Sequence, residues 1–156
     1  MNGKIFTLRN LYQSGTEKLE KAGIREAKLD AWYLLEYKTG ISRAVFLADP
    51  DREVEEEKAE SYQKDICTRA RRIPLQHITG EQEFMGLNFK VNENVLVPRQ
   101  DTEILVEEAL KRIRPDMQIL DMCTGSGCIL ESILKFGEKK QMHLKGTGCD
   151  ISEEAL

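Results

Sequence analysis

The segment Ile119–Ile129, ILDMCTGSGCI, restricts this chain to few architectures. A short apolar run ends in Asp121, a Thr-Gly-Ser-Gly turn follows, and helical periodicity resumes after it. Strand, glycine-rich turn and helix in that order form the βα unit of an α/β sheet. The ligands of such sheets lie outside the carboxyl ends of the strands. The helix is SGCILESILKFG, read as ending at Gly137. A second strand, LKGTGCDI, carries another acid, Asp150, and Ser152 opens a further helix. Asp121 and Asp150 lie 29 positions apart, about one strand-turn-helix-turn-strand unit.

The turn's residues narrow the ligand class. A dinucleotide site wants Gly-x-Gly-x-x-Gly; Gly125 and Gly127 supply two glycines, but Leu130 stands third, where close helix packing wants Gly or Ala. A phosphate-binding P-loop needs a Lys after its glycines, and none follows here. S-adenosylmethionine makes different demands. It has no pyrophosphate, its methionine tail and ribose need small residues beneath them, and an acid must accept from the two ribose hydroxyls. Asp150 occupies that place. Taken alone, Asp150 reads more simply as a helix-start residue and the turn as a tight connection. The two together at this spacing favour the ligand.

Upstream the pattern is helical. Ile5, Leu8, Tyr12 and Leu19 fall near one face, and Gly23 punctuates. In REAKLDAWYLLEYKTG, Leu29, Trp32 and Leu35 form a stripe with Ala31 and Leu34 beside it, and Gly40 is placed to stop the helix. Ser42 can cap a short helix that Asp49-Pro50 breaks. A long helix is expected from about Val54 to Arg72, acidic at its start, basic at its end, with Tyr62, Ile66 and Ala70 buried. No strand signal interrupts this bundle. From Pro74 the apolar positions alternate at Phe84, Leu87, Phe89, Val91, Val95 and Val97 around turn residues, which predicts a hairpin. Asp101 or Thr102 can then cap a helix running to about Arg112.

Composition limits the partners. A net charge of −4 and a pI near 5.4 argue against a general nucleic-acid binder, and the Arg69–Arg72 cluster suits a helix C-terminus. No apolar run approaches the ~20 residues of a membrane span. MNGKIFTLRNLYQSG has no signal-peptide apolar region, so a cytoplasmic protein is expected. Cys67, Cys123, Cys128 and Cys149 form no Cys-x-x-Cys pair, and His77 and His143 are the only histidines, so no metal site is expected.

ILDMCTGSGCI, GCDIS, PLQHITGEQEFMGLNFKVNENVLVPRQDTE and the helical start together closely resemble the HemK/PrmC family, protein-(glutamine-N5) methyltransferases of peptide chain release factors. The resemblance covers essentially the whole chain, and the hairpin with VPRQDTE is its most specific part. It implies an α + α/β chain: a helical substrate-docking domain over 1–73, a β-hairpin linker over 74–98, and over 99–156 the first strands and helices of a Rossmann-like class I methyltransferase domain. It implies S-adenosylmethionine lined by Cys123, Thr124, Gly125, Ser126 and Gly127, with Asp150 on the ribose and Asp121 ordering the turn, through water to the methionine ammonium. Arg99, Thr102 and Glu103 would lie near the cofactor mouth; an ordinary surface ion pair beside a helix cap is an equal reading of Arg99 and Glu103.

Two residues depart from the family pattern. Cys123 stands where Gly is frequent, which its side chain tolerates by facing the sheet, and Gln100 stands where Pro is common. The family's Asn-Pro-Pro-Tyr motif, which grips the substrate amide, does not occur, so no catalytic residue is assigned and the chain is expected to be an inactive partial enzyme. Its partners by resemblance are release factors, with no direct nucleic-acid or membrane contact. The competing readings are a protein-binding module in which the bundle docks a release factor without catalysis, and a nucleic-acid methyltransferase of the same sheet type. A sheet of two parallel strands leaves edges open, so residues beyond about Pro115 are expected to be less ordered than the bundle, or protected by self-association.

Overall fold

The computed structural model describes residues 5–155. They form two compact units, one ending at Thr79 and one beginning at Gly80.

In the first unit, β1 (Phe6–Thr7) leads into α1 (Leu8–Lys21), followed by α2 (Ala27–Thr39), α3 (Arg43–Ala48), β2 (Glu53–Val54), α4 (Glu56–Ala70) and α5 (Leu75–Thr79). Thr7 caps α1 by accepting the Asn10 N–H at 3.3 Å. Gly40 ends α2 at φ 69°, its N–H donating to Glu36 O at 2.7 Å. Ser42 stands at the start of α3 but its hydroxyl makes no capping bond.

The bundle is not purely helical. β1 and β2 pair antiparallel, with Phe6 opposite Val54 and Thr7 opposite Glu53. The long helix expected from Val54 therefore begins at Glu56, because Glu53 and Val54 are taken by the pairing. Periodicity within one segment cannot reveal a two-residue strand whose partner is distant in sequence. Ile5, expected on the helical face, precedes the helix and is 69% exposed.

Leu8, Leu11, Leu19, Ala31, Leu34, Leu35, Tyr62 and Ile66 form the core. α2 packs against α1, α4 and α5, so its buried arc is wider than one stripe. Leu29 lies outside that arc and is exposed. Gly15 governs how closely α1 meets α4: a Cβ there would collide with the Tyr62 hydroxyl. A helical glycine costs about 1 kcal/mol relative to Ala. Burying a large ring returns roughly 2–3 kcal/mol, so the exchange is favourable. α2 and α4 are also tied by Arg69 Nε donating to Asp30 Oδ2 at 2.7 Å and by Lys38 Nζ at 3.0 Å from Asp65 Oδ2.

Pro74 was expected to open the hairpin. It precedes α5 instead, its carbonyl accepting the His77 N–H at 3.1 Å. Proline's preset φ suits a helix start, and Leu75 and Ile78 pack on the helical core, which holds this turn in the first unit.

In the second unit, β3 (Glu81–Phe84) and β4 (Leu87–Lys90) form the expected hairpin. Its turn residues, Met85 and Gly86, both have positive φ, 54° and 72°, as a two-residue turn of matching twist requires. Val95 and Val97 do not extend the sheet; the chain from 91 to 99 is irregular. Then come α6 (Gln100–Leu110), β5 (Gln118–Met122), α7 (Cys128–Lys139), β6 (Lys145–Cys149) and a single 3-10 turn, Glu153–Ala155, in place of a helix. Arg99, not Asp101 or Thr102, is the residue before α6, and Asp101 and Glu103 sit in its first turn, where the helix dipole favours acids.

β5 and β6 pair in parallel from Gln118↔Lys145 to Met122↔Cys149, and α7 makes the crossover. α7 does not stop at Gly137. That glycine lies inside the helix because a Cβ would collide with Leu144. Gly146 on β6 likewise admits Leu134 and Leu130, which would stand 2.7 and 2.9 Å from a Cβ. Phe84, Phe89, Val106, Cys128 and Ile133 form this unit's core.

Two outcomes follow from this packing. Asp30→Ala leaves the Arg69 guanidinium, 18% exposed, with its bond to Ile73 O but no carboxylate, and should cost about 3 kcal/mol in urea unfolding. Among the described residues β5 pairs only with β6, and Leu120 and Met122 are exposed. Amide hydrogens of β5 and β6 should therefore exchange faster than those of α1, α2 and α4; equal protection in a monomer would contradict this.

Candidate functional site

Parallel pairing brings the carboxyl ends of β5 and β6 side by side, and with them Asp121 and Asp150. The two acids hold the intervening turn by different bonds. Asp121 Oδ2 accepts from the Thr124 hydroxyl at 2.8 Å. Asp150 Oδ2 accepts the Gly125 N–H at 2.8 Å, and its Oδ1 accepts the Ser152 N–H at 3.1 Å. The Thr124 N–H donates to Cys149 O at 3.0 Å, and the Gly127 N–H closes the turn on Thr124 O at 2.9 Å. Strand tip, turn and helix start thus become one hydrogen-bonded unit.

The glycines divide the work. Gly125 and Gly127 adopt φ 53° and 73°, where only glycine is unstrained. Among the described residues, nothing beyond Gly125 and its two chain neighbours lies within 4 Å of where a Gly125 Cβ would be, so the turn presents open backbone. Gly148, opposite Asp121 in the ladder, serves the other side: a Cβ there would sit 3.0 Å from the Thr124 side chain. Sequence reasoning did not single out Gly148, although a glycine inside a strand is a signal of close approach.

Cys123 differs from its expected placement. Its φ is 61°, and it is exposed, so the side chain is not tucked against the sheet. A side chain in the left-handed region costs roughly 1–2 kcal/mol. Ser126 lies partly buried in the turn, and burial pushes the Cys128 thiol up.

The backbone amides of Ser152 and Gly125 hold the Asp150 carboxyl below the usual carboxylate range. The sign follows: a depressed folded pKa adds stability above the ordinary carboxylate value, and that stability is lost as pH falls through the depressed one. An ionised carboxylate offers about four acceptor sites, so after two backbone bonds Asp150 keeps capacity for two more donors. A vicinal diol fits that capacity. Two carboxylates beside the turn suit a cationic ligand and oppose a pyrophosphate. The acceptor set and open backbone would suit S-adenosylmethionine and would suit the pyrophosphate of a dinucleotide poorly.

The VPRQDTE residues take other parts. Glu103 accepts the Met85 N–H at 2.8 Å and so fastens α6 to the hairpin turn. Arg99 is exposed and Thr102 half-buried, with the Thr102 N–H donating to Arg99 O at 3.0 Å. Among the described residues, no three His, Cys, Asp or Glu side chains are grouped to hold a metal ion, and no helix is long and apolar enough to cross a membrane.

Cys123→Gly should relieve the left-handed strain and raise the unfolding free energy by about 1 kcal/mol in urea titration. A loss of stability would show that the thiol makes a compensating contact.

Residues 10–80 match the PrmC N-terminal domain. Over 152 residues the chain is 37% identical to a release factor glutamine methyltransferase of Caulobacter vibrioides, covering 96% of this chain and 51% of the relative. It is 37% identical over 132 residues to one of Geobacter sulfurreducens, covering 85% and 46%. With one of Clostridium botulinum it shares 42% over 124 residues, covering 78% and 44%. The chain thus spans about half the length of the curated relatives it matches. With residues 10–80 matching the PrmC N-terminal domain and the glycine turn inside the aligned region, the chain is similar to release factor glutamine methyltransferases over nearly its whole length.

Proposed function

We propose that this chain is the docking and cofactor-binding part of an S-adenosylmethionine-dependent enzyme of the cytoplasm. That enzyme methylates the glutamine side-chain nitrogen in the Gly-Gly-Gln loop of peptide chain release factors. The observation that carries the reading is the pair of acids, Asp121 and Asp150, gripping one glycine turn at the tips of parallel strands. Residues 99–156 are read as the opening of a Rossmann-like domain, and residues 74–98 as joining it to the docking domain over 1–73.

Each residue has a definable task. Asp150 accepts hydrogen bonds from two ribose hydroxyls while its backbone bonds keep it ionised. Gly125 and Gly127 let the chain pass close under the ligand. Thr124, Ser126 and Cys123 line that passage. Asp121 orders the turn through the Thr124 hydroxyl and places negative charge where a methionine ammonium would lie. The cofactor supplies an electrophilic methyl carbon when bound. An amide nitrogen is a weak nucleophile and must be held in line by positioned acceptors. The Asn-Pro-Pro-Tyr segment that fills that role in the family is not among these 156 residues, so no amide-gripping role is assigned to any of them.

One observation favours docking by the helical unit. A groove of about 730 Å³ runs along α2, walled by Tyr12, Trp32, Tyr33 and Arg43, with the Arg43 guanidinium 4.7 Å from the Trp32 ring centre. Aromatic and arginine side chains are the usual anchors of protein interfaces.

Calorimetric titration with S-adenosylhomocysteine should give binding heat, NAD should give none, and Asp150→Ala should weaken binding roughly 100-fold through loss of two charge-assisted bonds. Heat from NAD alone would overturn the cofactor assignment. Methyl transfer to a release factor by these residues alone would overturn the placement of the amide-gripping groups elsewhere.

A further inference from the structure

Lys18 on α1 and Cys67 on α4 are 49 positions apart, yet Lys18 Nζ donates to Cys67 Sγ at 2.8 Å. Both residues are exposed. They rim a cleft of about 240 Å³ that Gly15, Tyr62 and Ile66 also line. Tyr62 is fully buried, and its hydroxyl lies against the Gly15 wall without a hydrogen-bond partner among the described residues. A buried hydroxyl left unsatisfied is costly, so α1 and α4 meet here at a locally strained contact beside the cleft. The cleft therefore joins a thiol, an amine at bonding range and an unused O–H donor, with room for several water-sized molecules.

We propose that this cleft is a peroxide-responsive modification site in which Cys67 and Lys18 become joined by a sulfur–nitrogen bond. Hydrogen peroxide is small enough to enter the cleft and reach the exposed Cys67 sulfur. The Cys67 thiolate attacks one peroxide oxygen, the S–O bond forms and the O–O bond breaks. The departing hydroxide takes a proton from the Lys18 ammonium, giving one water, a sulfenic acid and a neutral amine. That amine, already beside the sulfur, attacks it. The S–N bond forms, the S–O bond breaks, and the second hydroxide leaves as water with a proton from nitrogen. Thiolate, ammonium and peroxide thus give a sulfenamide and two waters, with peroxide reduced and sulfur oxidised. Excess thiol reverses the link by attacking the sulfur. The bond ties α1 to α4 across a long loop, so it restricts the unfolded chain and raises Tm.

The site is independent of the cofactor reading, because it lies wholly in the helical unit. The test treats the whole chain with hydrogen peroxide and reads intact mass, tryptic peptides and dimedone capture. The expected product is lighter by about 2 Da, joins the peptides holding Lys18 and Cys67, melts higher, and reverts in dithiothreitol. Lys18→Arg keeps the positive charge but removes the amine; it should abolish the link and raise dimedone capture at Cys67 several-fold. Cys67→Ser should abolish both, while exposed Cys123 serves as an internal reference for ordinary thiol oxidation. Dimedone capture at wild-type Cys67 without a cross-link would overturn the proposal, as would oxidation of Cys67 no faster than that of Cys123.

Discussion

The Gly125 N–H donating to the Asp150 carboxylate at 2.8 Å joins the turn after one strand to the tip of the next. Much of the second unit depends on the conditions that allow this bond. β5 and β6 must be parallel and in register, so that Met122 stands opposite Cys149. α7 must lie close enough on the pair to bring its start back to the turn, which Gly137 and Gly146 permit by having no Cβ to meet the leucines. Gly148 must leave room for the Thr124 side chain, whose hydroxyl completes the bond to Asp121. A carboxylate that orders its own backbone surroundings is also preorganised to receive further donors, which is the property a ribose-binding acid needs.

The helical unit is built on a related principle. Gly15 gives up helix propensity so that the Tyr62 ring can enter between α1 and α4. Asp30 and Arg69 then close the other side of α4 against α2. In both units a missing side chain sets the distance between elements, and a polar pair sets their register. The same close approach of α1 and α4 brings Lys18 to Cys67 and leaves the Tyr62 hydroxyl without a hydrogen-bond partner among the described residues.

Some features were legible in the sequence because their cause is local. Gly40 ends α2 as a left-handed cap, Met85-Gly86 turns the hairpin, and the burial of Tyr62 and Ile66 follows from four-residue spacing. Others were not, because their cause lies far along the chain. β1 and β2 are each two residues long and have meaning only as a pair. α5 forms after Pro74 because Leu75 and Ile78 find the helical core, not because its five residues favour a helix. Gly137 reads as a stop, yet the helix continues through it, since Leu144 occupies the space a side chain would need. Glu103 reads equally as a residue near the cofactor mouth or half of a surface ion pair, and the packed structure has it accept the Met85 N–H.

The candidate site shows the same division. Two acids 29 positions apart, a glycine turn between strand and helix, and no Lys after its glycines were written in the sequence, because spacing and residue chemistry are one-dimensional properties. What each acid does was decided by the tertiary structure. Asp121 reaches a hydroxyl and Asp150 reaches two backbone amides, and Cys123 takes a left-handed backbone that leaves its thiol exposed. Hydrogen bonds depend on distance and angle at the ångström scale, and those are set only when strands, turn and helix have packed together.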